Sequence, residues 1–537
     1  MTPTRRPTDP SRSNLPPASR LLLSRRPVRR LVAAAFAFAA VFAAPVVHAD
    51  GDASATGTGD GDASAITAEF LLEQTVGSQP MFPGSGTFTQ LGIITAYRSD
   101  SPFYATFDFR ALSDDRYSVG AAFLDIPFSF RIREAGLGYA GEPLSLRAGI
   151  FAHADVVESP YSLFISGRRQ SAFLYEIDYT GRWLRLLTRS IELNRNSALG
   201  YPDRSVVFQT IGVHGDGWEV GFQDSVVAVP LPVSDGEKIT QTSDGTGPVF
   251  VPALFFLPLP NYVTQYILGG GENPWRQSIN YKSLMGFYGR MRLDLPLELE
   301  AQILIDDFNA NAFVRPDHPH QNPFMGAWML SGRMPTPIGA FRFSHAGSLM
   351  YTFQTSHNRR YSYTYYPEVV FPRGDEWQVI DYRDNYLGFF LGDNTVAFRL
   401  DWEHHLRPQR PVAFDLGLDG LLEYTVSGSK SPLNPWGDYR SWSDHPGEGP
   451  LASTRLLDEE VLEHGLRLGL SASASRRWGP GTIALRLATG AGVWFNVLRL
   501  DEVDRPGFPA PHDVEIYRPS DETHREASFT VGVSYRF

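Results

Sequence analysis

The sequence predicts an all-β protein, a single antiparallel transmembrane β-barrel of about 16–18 strands with long extracellular loops and an inward-folded segment. Three observations predict it. Residues 527–537 alternate strictly, with Phe529, Val531, Val533, Tyr535 and Phe537 on one face and Ser528, Thr530, Gly532, Ser534 and Arg536 on the other. The same period recurs from about Ile66 onward, punctuated by turn residues, with no compositional break that marks a second domain. Finally, 42% hydrophobic residues suit a wall in which only alternate side chains meet lipid.

The N-terminal region carries basic Arg25, Arg26, Arg29 and Arg30, then an apolar run over 31–44, Pro45, and the small-residue sequence Val47-His48-Ala49. That order of charged, apolar and cleavage regions predicts a secretory signal over 1–49, cut between Ala49 and Asp50. Ser24-Arg25-Arg26 superficially suggests a twin-arginine signal. That route carries folded cargo, which a barrel is not before insertion, so general export is expected. Removing 1–49 takes away eight arginines and one aspartate, leaving 40 basic against 58 acidic residues and a net charge of −18. A balance so acidic argues against nucleic-acid binding. Residues 50–65 repeat GDASA and are too poor in apolar groups to offset the entropy of ordering, so they read as a disordered linker before a barrel over 66–537.

Strand after strand shows two unlike faces. Phe103, Ala105, Phe107 and Phe109 oppose Tyr104, Thr106 and Asp108, and Tyr117, Val119, Ala121 and Phe123 repeat the pattern. Phe173, Tyr175, Ile177 and Tyr179 alternate with Leu174, Glu176, Asp178 and Thr180 before a turn at Gly181. Residues 206–213 and 218–226 flank His214-Gly215-Asp216-Gly217 and form one hairpin. Leu297, Leu299, Ala301, Ile303 and Ile305 oppose Glu298, Glu300, Gln302, Leu304 and Asp306. Val396, Phe398, Leu400 and Trp402 oppose Ala397, Arg399, Asp401 and Glu403. Leu466, Leu468, Leu470 and Ala472 lead to the turn Trp478-Gly479-Pro480-Gly481 and on to Ile483, Leu485 and Leu487. An aromatic content of 13% suits interfacial girdles, and 49 glycines and 40 prolines suit many turns. The absence of cysteine removes disulfides, thiolate metal sites, cysteine catalysis and lipoprotein acylation.

Three stretches break the rhythm. Residues 227–281 include FVPALFFLPLPNYV, too proline-rich for a central strand and too apolar to hang in water; it is expected to narrow the lumen or to pack against the wall as a short helix. Residues 309–324 and 354–386 read as long loops facing the cell exterior.

Little of the sequence points to reaction chemistry. Asp306-Asp307 with His318 and His320, and Ser344-His345, contain residue types used in hydrolysis, but strand neighbours point to opposite faces. Asp317-His318-Pro319-His320 lacks a further paired ligand for a metal, and Gly269-Gly270-Gly271 lacks the strand-to-helix context of a phosphate loop. No catalytic residue, cofactor or metal is therefore assigned. The tyrosines Tyr361, Tyr363, Tyr365 and Tyr366 beside Arg359, Arg360 and Arg383 fit two readings equally: faces for sugar rings with cations for hydroxyl or acidic groups, or an interfacial girdle.

The order FFLPLPNY, GFYGRMRLDLPLELEAQILIDDF, YSYTYYPEV and YLGFFLGDNTVAFRLDWEHHLRP, over roughly residues 200–410, resembles the capsule assembly Wzi family of outer-membrane barrels. The terminal strand is similar to the signal by which such barrels are recognised for assembly. The resemblance implies a bacterial outer-membrane protein in contact with lipid, with the barrel assembly machinery and with surface polysaccharide, and without enzymatic turnover. The alternative expectation, from charged lumen positions and the acidic total, is a diffusion porin for small polar solutes.

Overall fold

The computed structural model describes residues 65–79, 82–98, 101–112, 129–193, 204–230, 279–307, 324–354, 361–366, 370–373, 376–406, 414–432, 455–504 and 513–537. They belong to the second of two compact units, spanning 62–537. The expected signal with Ala49 and Asp50, the linker up to residue 64, the strand at 117–123, residues 231–278, 309–323, Arg359 and Arg360 lie outside the described residues.

The first half of the barrel wall comprises β1 (Ala65–Gln79), β2 (Phe82–Arg98), β3 (Phe103–Leu112), β4 (Ser129–Ala140), β5 (Leu144–Ala152), β6 (Ser171–Thr180), β7 (Leu184–Glu192), β8 (Ser205–Gly215) and β9 (Trp218–Pro230). It continues through β10 (Ile279–Arg292), β11 (Glu298–Asp307), β12 (Met325–Thr336) and β13 (Gly339–Ser348). Two short strands, β14 (Val370–Arg373) and β15 (Glu376–Val379), pair only with each other. The wall resumes with β16 (Thr395–Leu406), β17 (Asp415–Ser427), β18 (Glu463–Trp478) and β19 (Gly481–Phe495). A second ribbon of β20 (Leu498–Asp504) and β21 (Asp513–Pro519) precedes the last wall strand, β22 (Thr523–Arg536). Eighteen strands form one antiparallel sheet in which every wall strand pairs with its sequence neighbour, and β22 returns to β1. The barrel is closed.

Closure rests on the alternating C-terminal residues. Glu69 to Gly77 pair with Arg536 to Ser528, and the backbones of Ala68 and Phe537 exchange two hydrogen bonds of 3.0 Å. Arg536 donates to Glu69, and the Thr75 and Thr530 hydroxyls lie 2.9 Å apart on the lumen side. Phe529 and Val533 face outward, 50% and 39% exposed. Elsewhere the apolar face is outside too: Phe103, Phe107, Tyr175, Ile177, Ile303, Phe398, Leu466, Leu468 and Leu470 are exposed. In water such a surface would aggregate, so its solvent is hydrocarbon. The opposite face holds ion pairs, among them Arg110 with Asp108 at 2.8 Å and Arg399 with Asp401 at 2.7 Å.

The two rims differ. Residue 65, residue 537 and the connections at 99–102, 141–143, 181–183, 216–217, 293–297, 337–338, 407–414 and 479–480 share one rim. At the hairpin of β18 and β19, Gly479 has φ +60°, which favours glycine. At the other rim most consecutive strand ends are separated by longer stretches of sequence, such as 153–170 between β5 and β6 and 349–394 between β13 and β16. Residues 227–230 and 279–281, expected to be irregular, are the ends of β9 and β10.

We expect Phe529→Arg, at the middle of β22, to cost about 2–4 kcal/mol of folding free energy in bilayers, and Phe529→Leu far less. Denaturant unfolding followed by tryptophan fluorescence measures the difference.

Candidate functional site

The lumen is where the structure departs most from a simple cylinder. Two connections of the long-loop rim turn inward and pack against each other, burying Tyr161, Leu163, Phe164, Ile165, Phe353, Tyr363, Leu387 and Phe389 completely. The first insert is 153–170, between the adjacent strands β5 and β6. Its backbone has almost no regular structure, so its polar groups are satisfied by the wall. Arg189 of β7 donates to the Ala154 carbonyl at 2.5 Å, and Gln223 of β9 donates to Asp155 at 2.7 Å. The Leu163 amide donates to Gln302 of β11 at 2.9 Å, and the Tyr161 hydroxyl to Glu423 of β17 at 2.8 Å. Burial, followed by the Glu423 charge, pushes the Tyr161 hydroxyl pKa up, which keeps it a donor. Asp155 folds the insert back on itself by accepting the amides of Phe164 and Ile165 at 3.2 and 3.1 Å.

This insert crosses most of the barrel's height. At its tip the Glu158 amide donates to the Glu300 carboxylate at 3.1 Å, and Arg342 donates to the Glu158 carbonyl at 2.8 Å and to its carboxylate at 3.1 Å. Glu300 and Arg342 lie near the short-turn ends of β11 and β13. Below the tip, a cavity of about 540 Å³ opens among Arg185, Glu219, Arg290, Arg292, Glu298 and Arg333. Its charges are largely paired, including Arg290 with Glu300 at 3.2 Å and Arg292 with Glu298 at 2.9 Å.

The second insert lies between β13 and β16, and its described residues, among them 349–354, 361–366 and 380–394, pack in the long-loop half. Residues 363–365 pair with 385–387 through the Tyr365 amide to Asn385 at 2.7 Å and the Leu387 amide to Tyr363 at 3.1 Å. Between them lies a one-turn helix, α1 (Tyr382–Asn385), capped by Asp381, which accepts the Arg383 amide at 2.9 Å. The inserts join where the Ser166 amide donates to the Leu387 carbonyl at 2.6 Å and the Tyr161 ring meets Phe389 edge-on at 5.7 Å. Gly388 is needed there, because a Cβ would sit 2.1 Å from the Leu163 carbonyl. Asp306 of β11 accepts the Phe353 amide at 2.7 Å and pairs with Lys282 at 2.9 Å. Asp393 accepts from Gln354, Tyr386 and the Tyr351 amide, while Lys430 donates to the Leu391 carbonyl and Thr395 hydroxyl, both at 2.6 Å. Burial raises the Asp393 pKa and lowers that of Lys430, and each charge partly offsets the effect on the other. Tyr517 of β21 closes over this region, its ring 5.2 Å from Tyr382.

The tyrosines proposed for sugar contact separate into two groups. Tyr363 is wholly buried, its hydroxyl 2.8 Å from the Phe164 carbonyl and 2.6 Å from Ser225 of β9. Tyr365 is 5% exposed and lies 2.6 Å from Nε2 of His153. Both rings are spent on holding the inserts together, because Tyr363 and Tyr365 turn into the lumen instead of standing outside on an extracellular loop. Tyr366 is 49% exposed and Tyr361 is half-buried. Ser344 and His345 do point apart: Ser344 is buried beside Ser331 at 3.1 Å, whereas His345 accepts from Trp328 at 3.1 Å and stacks on Phe398 on the outer wall.

The sequence reading missed the first insert entirely. Its signal was an apolar run, Tyr161 to Ile165, bounded by Pro160 and Gly167 and lacking the alternation of a wall strand.

The fold defines a β-barrel of the membrane-spanning class whose lumen holds segments of two inward-turned connections. No protein-family model and no curated protein matches the chain. Among solved structures, it is similar to Wzi, an outer-membrane protein involved in group 1 capsule assembly in Escherichia coli and described as a carbohydrate-binding β-barrel. The identity is 10% over 87% of this chain and 83% of that one, with a TM-score of 0.46. It is also similar to the outer-membrane protein OprD from Pseudomonas aeruginosa, at 10% identity over 89% and 95% of the two chains and a TM-score of 0.40. In-vitro folded OmpT of Vibrio cholerae aligns at 8% identity over 90% and 100%, with a TM-score of 0.32. These are similarities of fold.

His153 supplies a test of the packing. Burial, then the nearby Arg189 charge, lowers its pKa from 6.5 to about 3. The stability it contributes is fully present above pH 6.5 and is lost as pH falls through that window toward 3. Protease cleavage within 153–170 should rise on acidification, and His153→Gln should remove that part of the pH dependence. Limited proteolysis read by mass spectrometry checks both.

Proposed function

We propose that this protein is a non-enzymatic β-barrel of the bacterial outer membrane, closed by its own inserts, whose long-loop rim binds or organises surface polysaccharide. The carrying observation is the pair of lumen inserts, bonded to β7, β9, β11, β13 and β17 and buried together across most of the barrel's height. A general pore for polar solutes gains nothing from an apolar core placed across its path. Orientation follows from the rims: short turns belong on the periplasmic side and long connections outside. The terminal face of Phe529, Val531, Val533, Tyr535 and Phe537 would then serve the barrel assembly machinery during insertion.

Of the four tyrosines considered for sugar contact, the exposed Tyr366 and the half-buried Tyr361 keep aromatic surface open to a glycan. A second reading, a diffusion porin, draws on Arg467 of β18, whose side chain faces the lumen 51% exposed, beside Glu526 at 3.7 Å. An off-centre passage along β18 and β22 would support it.

Planar-bilayer recordings separate the two. The wild type should show no steady conductance, and replacing 156–166 by a glycine-serine linker should open a stable pore. Steady conductance of the intact protein would favour the porin. For the glycan reading, immobilised capsular polysaccharide should retain the wild type and release Tyr366→Ala earlier.

A further inference from the structure

The lipid-facing wall contains a groove that the lumen and rim do not explain. Along β18, Ala472 and Ala474 are small outward residues flanked by leucines on both neighbouring strands. Register places Leu418 and Leu487 on either side of Ala472, and Leu416 and Leu485 on either side of Ala474. Leu406 of β16 lies beyond Leu416. The result is an apolar trough of about 130 Å³ running along the strand, with an alanine floor and leucine walls. Toward mid-wall the same face meets Leu470, 63% exposed, which ends the trough.

The opposite end is charged. Two residues farther along the same face, Arg476 stands at the short-turn rim, exposed. Its guanidinium lies 5.6 Å from the ring centre of Phe414, and it makes no ion pair among the described residues. Trp478, 68% exposed, follows at the level of the interfacial girdle. A cation without a carboxylate partner is costly against hydrocarbon and favourable at an anionic head-group layer. Groove and cation share one face in the order that a lipid presents its acyl chain and its phosphate.

We propose that this face binds one anionic phospholipid of the leaflet at the short-turn rim, an acyl chain lying over Ala472 and Ala474 and the phosphate on Arg476. The proposal rests on the reading of the outer wall as lipid-facing. Charge complementarity favours a phospholipid over a second copy of this chain, because the described groups on this face include no carboxylate that would meet Arg476 in a symmetric dimer.

The test is native mass spectrometry of the full-length mature protein in detergent after equilibration with phosphatidylglycerol, with heat-modifiable gel mobility as the measure of folding. The wild type should retain one lipid. Arg476→Ala should bind it about fivefold more weakly, the loss of one interfacial arginine. Ala474→Phe should fill the groove and abolish retention, whereas Arg477→Ala, on the alternate face, should leave it unchanged. Equal retention by the folded wild type, Arg476→Ala and Ala474→Phe would overturn the site alone. A lipid-free dimer would overturn it in favour of a second copy. Absence of any heat-modifiable shift in the wild type would remove the barrel reading and the site together.

Discussion

Every wall strand here is held to two neighbours, and the whole arrangement depends on the seam where β22 meets β1. In hydrocarbon an amide without a partner costs several kcal/mol, and a strand edge is a row of such amides. The paired residues of the seam, extended by the mutual bonds of Ala68 and Phe537, leave no edge. Closure also fixes which face is wet. Glu69 and Arg536 can pair across the seam because the cylinder has an inside, and the same separation lets Arg399, Asp401, Arg110 and Asp108 carry charge along strands whose alternate residues meet lipid.

The radial order of this molecule is apolar, polar, apolar. Lipid-facing aromatic and aliphatic residues surround a polar wall, and the wall surrounds the aromatic core of the inserts. That core is held as in a water-soluble protein, by exclusion of water from Tyr161, Phe164, Tyr363 and Phe389. The first insert lacks the ladders that normally satisfy buried backbone groups and the second has only short ones, so Gln302, Asp306, Glu300 and Arg342 serve that purpose from the wall. Some lumen charges, Arg189, Glu300, Asp306 and Arg342 among them, therefore act as backbone partners for the inserts, while others pair with one another. That role also accounts for Asp306, whose carboxylate anchors Phe353 and offsets Lys282.

The wall was legible because its physics is local. Alternation at Phe103 to Phe109, at Leu466 to Leu470 and at the C-terminal strand follows from a two-residue repeat between two solvents, and no distant contact is needed to see it. The inserts were not legible for the opposite reason. Tyr363 and Tyr365 carry the same aromatic signature whether they coat a rim, face a sugar or pack inside, and only the partners Phe164, Ser225 and His153 decide. These lie far away in sequence. The apolar stretch near residue 255 is long and rich in proline, whereas Tyr161 to Ile165 is five residues with no repeat to mark it. Pairing of an unpatterned segment with a wall is a tertiary fact, and composition does not encode it.

The attachment of the inserts has a mechanical consequence. Each begins and ends on strands that are neighbours in the wall, β5 with β6 and β13 with β16, so it is a loop tied at two adjacent posts. Such a loop can be pushed out toward the long-connection rim but cannot diffuse away, and its local concentration at the mouth stays high after any excursion. Whatever displaces it, a pulling ligand or a transient opening, reseating is an intramolecular event that needs no second molecule.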